Sequence, residues 1–466
     1  MCSSTDDSFS IDYSQMIKIE SSPLNQLVCQ KCNNEKAEVT LRKKDVYCNG
    51  CFLISATHKF RATLGRSKIV RPSDTILVGH NGQAGSTALL NLIKAGMDES
   101  VHKRLIFNVK LLYIDDGLIM GQSMAERQIK LTNIYKQVEA LGFPAYGIVI
   151  SEAMSSDNLS ISFLEDKTRL NDQSKGDEEL LKMWNKLTDE TCKKDFLLKL
   201  REKVMVMAAK ILKCQKIFLA DDSTSLAIAI LSNVALGRGA HLSSDCGFID
   251  NRHKDVMILR PMRDFSRQEL YYYLRIRDIK CIDEKELKDN LHPSIQKLTG
   301  KFVRNLEDEF SGTVSTIFRT GEKIVSGKEN NRNNISTEQV CAFCNGCLDT
   351  IPIDGFTSSI DAKNFSKIVS AESANAEWNL AKLMKISPEN KKNVQEYSCQ
   401  DCRCNNMQAL NHNIEYEQIR HLLCYACQSI FNDNFTLHEL PFYVVKSVSR
   451  KLRLEDIAGE IQKFLL

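Results

Sequence analysis

Between residues 75 and 279 short apolar runs alternate with longer amphipathic ones, and this alternation restricts the possible folds more than any other feature of the chain. The segments ILVGH (76–80), NVKLLYIDDG (108–117), AYGIVIS (145–151), KIFLADD (216–222) and the start of DVMILRPMRDFSRQELYYYLRIRDI (255–279) read as strands. Between them GSTALLNLIKAG (85–96), MAERQIKLTNIYKQVEALG (124–142), DFLLKLREKVMVMAAKILKC (195–214) and SLAIAILSNVALGRG (225–239) place apolar residues at helical spacing, and a last helix follows Pro261. Strands this continuously apolar are covered on both faces. Successive strand–helix–strand units close by right-handed crossovers. The pattern predicts an α/β fold, a doubly wound parallel sheet, over residues 76–325, with the polar stretch 155–179 as an exposed insertion.

The cysteines add modules to this core. Of 17 cysteines, ten fall in C-x-x-C pairs: Cys29/Cys32, Cys48/Cys51, Cys341/Cys344, Cys399/Cys402 and Cys424/Cys427. Two thiolates three residues apart reach one tetrahedral ion, and in a reducing compartment they are metal ligands rather than disulfides. The first two pairs are separated by 15 residues, the spacing of a four-cysteine zinc module over residues 26–57, with Gly50 expected at a positive φ inside the second pair. A closed four-cysteine site folds a module and does no chemistry. The C-terminal set allows two pairings. Cys341 and Cys344 can close a site with Cys424 and Cys427, or Cys399 and Cys402 can join Cys424 and Cys427 across 21 residues. Cys192, Cys214, Cys246 and Cys281 stand singly and read as small buried hydrophobes.

The remaining segments follow from composition. Residues 1–25 read as a disordered tail, 58–75 as a basic connector and 326–340 as a linker. Residues 341–430 form a second Cys-rich module with a long polar insertion, and 431–466 end in a helix. The polar, acidic start MCSSTDDSFSIDYSQ matches no secretory or mitochondrial leader. No apolar run approaches the roughly 18 residues of a membrane span. A cytoplasmic location without membrane contact is the expectation. The net charge of +3 is too small for nucleic-acid binding over the whole surface, so any such contact is local.

The segment GHNGQAGSTALL (79–90) joins the first strand to a helix. Small residues at a helix N-terminus can cradle a phosphate on backbone N–H groups. The loop follows neither the Walker nor the Rossmann pattern. It resembles the opening motif Ser-Gly-Gly-x-Asp-Ser of the PP-loop ATP-pyrophosphatase superfamily. On that motif Asn81 replaces the first Ser, Gly82 keeps the first Gly, Gln83 replaces the second Gly, Gly85 replaces the Asp, and Ser86 keeps the last Ser. Asp115, Asp116 and Gly117 match an Asp-Glu-Gly turn after the superfamily's next strand. The combination of C-x-K-C, Y-C-x-x-C-F and HKFRATLGR (58–66) resembles a tRNA 2-thiolation family within that superfamily.

The resemblance implies a cytosolic tRNA partner, and a catalytic PP-loop thiouridylase subunit as heterodimer partner. The implied reaction is conversion of the wobble uridine, U34, to 2-thiouridine, with ATP activating the uracil O2 and a ubiquitin-like thiocarboxylate carrier supplying sulfur. The departures argue against ATP binding and turnover by this chain, and no catalytic residue is assigned. Gln83 adds a side chain where a phosphate needs free approach, Gly85 removes a carboxylate, and the superfamily's later Asn-Ala-Asp-Asp stretch falls near Asp222-Ser223-Thr224-Ser225, which loses its acidic pair, with Asp221 and Asp222 able to compensate. Residues 152–180 contain no cysteine and Leu259 precedes Arg260-Pro261, so no iron–sulfur cluster is expected. In the connector, Lys59, Arg61, Arg66, Lys68 and Arg71 accompany Phe60 and are the tRNA-binding candidates, extended by Arg42, Lys43 and Lys44. Residues 261–277 form a second candidate, because Tyr271, Tyr272 and Tyr273 cannot all be buried on one helical face.

Overall fold

A hairpin of two short strands, β1 (Val39–Leu41) and β2 (Asp45–Tyr47), opens the computed structural model of the chain, with Val39 opposite Tyr47. The described residues are 27–42, 44–98, 104–155, 159–165, 175–187, 189–282, 294–310, 312–324, 340–350, 363, 365–366, 416–431 and 435–464. The expected tail, much of the insertion 155–179, nearly all of the linker 326–340, and Lys43, Cys399 and Cys402 lie outside them. The chain divides into two units, Met1–Asn330 and Asn331–Leu466.

In the first unit helix α1 (Asn49–Ser67) begins at the second Cys pair and runs through most of the stretch read as a connector. It buries Phe52, Ala56, Phe60 and Leu64, one residue every four, which is why a basic sequence still holds as a helix. There follow β3 (Thr75–Gly79), α2 (Ala84–Met97), β4 (Asn108–Asp115), α3 (Met124–Glu139), β5 (Ala145–Val149), α4 (Glu152–Ser155), β6 (Ser162–Phe163), α5 (Lys175–Lys186) and α6 (Glu190–Ile211). The unit continues with β7 (Lys216–Phe218), α7 (Ser223–Ala235), α8 (Leu242–Cys246), β8 (Ile249–Asp250), β9 (Met257–Leu259), α9 (Arg267–Ile276), α10 (Ile295–Glu309) and α11 (Thr313–Gly321). Capping boxes at Ser123/Glu126 and Ser266/Glu269 start α3 and α9.

Among the described residues the sheet has seven strands in the order β6-β5-β4-β3-β7-β9-β8. The inner five are parallel, and the edge strands β6 and β8 run antiparallel to their neighbours. The five parallel strands are those expected from the apolar runs. The two edge strands have two residues each, too few to show a period in the sequence. Ile76, Leu77 and Val78 at the centre of the sheet are fully buried. The chain leaves β3 toward β4 and β5, then returns to the other side of β3 as β7. The crevice at the C-terminal ends of β3 and β7 is therefore the switch point where sheets of this kind take ligands.

The second unit holds an isolated bridge between Val340 and Cys347, helices α12 (Tyr416–Ile419) and α13 (Tyr425–Ile430), and α14 (Phe442–Phe464). Its core is aromatic: Phe343 meets Phe431 edge-on at 5.0 Å and stacks on Tyr443 at 6.1 Å.

Candidate functional site

The loop after β3 enters the switch-point crevice. Its geometry is held by side chains. His80 is buried, with Nδ1 3.1 Å from Ser86 Oγ and Nε2 3.2 Å from Gln137 Oε1. Burial pulls its pKa down to about 4, so the ring is neutral at pH 7. The Gln83 N–H donates to Asn81 Oδ1 at 3.1 Å, and the Asn81 N–H to Ser86 Oγ at 3.4 Å. Asn81 also donates its side-chain amide to Gln83 Oε1 at 2.8 Å. Two backbone donors that a phosphate cradle would use are thus engaged inside the loop.

Two further contacts close the crevice. Gly82 has φ +83, and the Ile282 N–H donates to its carbonyl at 2.9 Å. A Cβ placed on Gly82 would lie 2.7 Å from Ile282 Cδ1, so the apolar side chain occupies the approach that the missing Cβ leaves. Gln137 holds the same segment by donating to the Lys280 carbonyl at 2.8 Å. At Gly85 a Cβ would lie 3.0 Å from the carbonyl oxygen of Ala220 in the loop after β7. The aspartate of the superfamily motif does not fit there without moving that backbone.

Three of the four acidic residues at the sheet's C-terminal edge pair with arginines. Asp115 Oδ2 accepts from Arg127 Nε at 2.9 Å and lies 2.7 Å from Nη2, while Oδ1 accepts from the Gly117 N–H at 3.0 Å. Gly117 is required by this clasp, since a Cβ there would lie 2.5 Å from Arg127 Cγ. Asp116 pairs with Arg201. Asp221 accepts from Arg260 Nε at 3.1 Å, and Asp222 caps α7 through the Ser225 N–H at 2.7 Å. Arg127, Arg201, Gln137 and Ile282 carry no local motif in the sequence: the first two reach Asp115 and Asp116 from α3 and α6, and the last two reach the loop from α3 and from beyond α9.

The cysteines converge as two groups of four: Cys29, Cys32, Cys48 and Cys51 in the first unit, and Cys341, Cys344, Cys424 and Cys427 in the second. Cys32 Sγ lies 4.0 Å from Cys48 Sγ, and Cys344 Sγ lies 3.7 Å from Cys424 Sγ. Tetrahedral zinc with bonds of about 2.3 Å places sulfurs about 3.8 Å apart. The donor sets therefore fit a tetrahedral ion without rearrangement. Both groups share one construction. The first pair sits in a turn whose next residue is left-handed, Asn33 at φ 56 and Asn345 at φ 57, and whose N–H returns to the carbonyl of Cys29 or Cys341. The second pair starts a helix, Cys48 capping α1 and Cys424 capping α13, so the positive helix end faces the thiolates. Gly50, expected at positive φ, is instead helical in the first turn of α1; the turn that needs a left-handed residue is the one at Asn33.

Glu202, Asp250 and His253 also converge, but Arg252 donates to Asp250 at 2.9 Å and lies 3.3 Å from Glu202, and Lys199 lies 3.1 Å from Glu202. Those carboxylates already have cations of the protein as counterions. Among the single cysteines, burial pushes the thiols of Cys192 and Cys246 up to about 12, which keeps them protonated at neutral pH.

The five connector cations are not on one face. Lys59 donates to both Glu269 oxygens at 2.7 and 2.9 Å and lies 4.7 Å from the centre of the Phe265 ring. Arg61 runs toward Gly96 of α2. Arg66, Lys68 and Arg71 are exposed.

Comparison with known proteins gives three findings. The family described as cytoplasmic tRNA 2-thiolation protein 2 matches residues 294–429. Over longer spans the chain is 32% identical to a protein of that name from Anopheles gambiae, covering 80% of this chain and 87% of the relative. It is 28% identical to the one from Danio rerio, covering 100% and 99%. Among solved structures it is similar to the U34-tRNA thiolase NcsA from Methanococcus maripaludis with its 4Fe-4S cluster, at 16% identity and TM-score 0.48 over 70% of this chain and 93% of that one.

Proposed function

The chain belongs to the cytoplasmic tRNA 2-thiolation protein 2 family, and from that premise we propose that it is the non-catalytic, tRNA-binding subunit of a cytoplasmic complex that thiolates the wobble uridine. Its partner in this reading is a catalytic PP-loop thiouridylase, with which it forms a heterodimer. That subunit activates the uridine with ATP and receives sulfur from a ubiquitin-like thiocarboxylate carrier. The two four-cysteine groups hold zinc and fold their modules.

One observation supports the assignment of inactivity: the loop's own contacts crowd the approach that a phosphate would need. Ile282 sits on Gly82, the Ala220 carbonyl closes on Gly85, and Asn81 takes the Gln83 amide. The carboxylates of Asp115, Asp116 and Asp221 face arginines. An active loop needs inward amides, room for the phosphates and acids for a divalent ion. The protonated thiols of Cys192 and Cys246 likewise suit packing and not sulfur transfer.

The test is reconstitution of the chain with the catalytic subunit, substrate tRNA, Mg-ATP and thiocarboxylated carrier, with 2-thiouridine read by mass spectrometry. Replacing Asn81 and Gln83 together by Ala in this chain should leave product formation unchanged, whereas a loop variant of the partner should abolish it. Loss of product with the first variant at intact fold, or pyrophosphate release by the isolated chain, would overturn the assignment. Metal analysis should return zinc; iron in either four-cysteine group would overturn that part.

A further inference from the structure

We propose that the β1–β2 hairpin and the outer stripe of α9 form one RNA-contacting surface, with Arg42, Lys44 and Arg275 taking phosphates and Tyr271 stacking on an unpaired base. This rests on the tRNA-binding reading above and gives it a location.

On α9, Gln268, Tyr271, Tyr272 and Arg275 are spaced i, i+3, i+4, i+7 and share one stripe, while Tyr273 faces the core. The start of that stripe is fastened to the hairpin, because Gln268 donates its side-chain amide to the Thr40 carbonyl at 3.2 Å. Two residues further on is the hairpin tip, where Arg42 has φ 51 and both Arg42 and Lys44 are exposed. The stripe is also fixed from the side: Tyr272 meets Phe52 of α1 edge-on at 6.2 Å. Upon that base the groups form a ladder. Tyr271 lies 5.8 Å from Tyr272, and the exposed Arg275 guanidinium lies 5.5 Å from the Tyr272 ring. Glu269 is held in an ion pair by Lys59.

Guanidinium planes and tyrosine rings beside backbone-binding cations are what single-stranded RNA uses, bases stacking on the rings and phosphates meeting the charges. The surface is local, as a net charge of +3 requires. It also gives the first four-cysteine module a part in binding, because Cys29, Cys32, Cys48 and Cys51 set the position of the hairpin that carries Arg42 and Lys44.

The experiment measures binding of the full chain to a fluorescein-labelled tRNA transcript with an unmodified wobble uridine, by anisotropy, from about 50 to 200 mM salt. Changing Arg42, Lys44 and Arg275 together to Glu should weaken binding at least about tenfold and flatten the dependence of log K on log salt by about one unit per lost phosphate contact. Tyr271→Ala should weaken it about fivefold or more with the salt slope unchanged, and Tyr271→Phe should restore it. Unaltered zinc content and melting temperature show that the variants fold. If the wild-type chain binds and both sets of variants bind equally well, the inference is overturned while the tRNA-binding reading stands. If the wild-type chain does not bind the tRNA, the reading itself falls and takes the inference with it.

Discussion

His80 plays a structural part at the loop. Its ring bridges Ser86 and Gln137 in a buried position and is held neutral, with its pKa lowered from 6.5 to about 4 by desolvation. An unfolded chain takes up that proton at pH near 6.5 and the folded chain does so only near 4. In this window the unfolded state binds more protons, so acidification removes stability, on the order of 3 kcal/mol across the whole interval. Urea unfolding at pH 7, 6, 5 and 4.5 should show wild-type stability falling toward the acid end more steeply than that of His80→Asn. Parallel curves for the two proteins would sink the claim. At this scale the sequence was informative about substitutions and silent about their compensation. Gln83 and Gly85 stand out against the motif, but the contacts of Ile282 with Gly82 and Ala220 with Gly85 join residues more than 100 positions apart. The ion pair of Lys59 was hidden for the same reason: its counterion Glu269 is 210 residues away.

Elements whose physics is local were the legible ones. Each parallel strand is an apolar run flanked by turn residues, and the paired cysteines announce their turn directly. The connector was the exception. Its basic residues hide the four-residue repeat Phe52, Ala56, Phe60, Leu64, which begins before the last cysteine's module is left behind. Because α1 starts at Cys48 and also packs on α9 through Phe52, the first four-cysteine group anchors the helix as well as the hairpin. Cys48→Ser should therefore remove one equivalent of zinc and loosen the start of α1 together with β1–β2. Hydrogen exchange should report faster amides over residues 44–56, while the amides of β3 and β4 stay protected. Undiminished zinc, or protection lost evenly across the sheet, would show that the module is not organised around that ion. Gly50→Ala should be tolerated at about 1 kcal/mol or better, since the residue is helical and nothing lies within 4 Å of its missing Cβ.

At the scale of the molecule the chain carries two units, Met1–Asn330 and Asn331–Leu466, and among the described residues each contains one group of four cysteines. Spacing left the second group open, with Cys341, Cys344, Cys424 and Cys427 as the set named and Cys399 and Cys402 as alternatives. Geometry joins Cys341 and Cys344 to Cys424 and Cys427 through 79 intervening residues, and the aromatic contacts of Phe343 with Phe431 and Tyr443 surround that closure. A closed metal site supplies folding free energy to the module that provides its ligands. The α/β unit has in addition a large apolar core built on its sheet of continuous apolar strands. Cys427→Ser should then lower only the transition that belongs to the second unit in differential scanning calorimetry, leaving the larger transition of the α/β unit within a few degrees of wild type. A zinc chelator applied to the wild-type chain should act on both, the smaller transition first. If Cys427→Ser moved both transitions in step, the units would melt as one cooperative body. Removal of zinc from the second site would then have to be counted against the stability of the whole chain, the hairpin surface and crevice included.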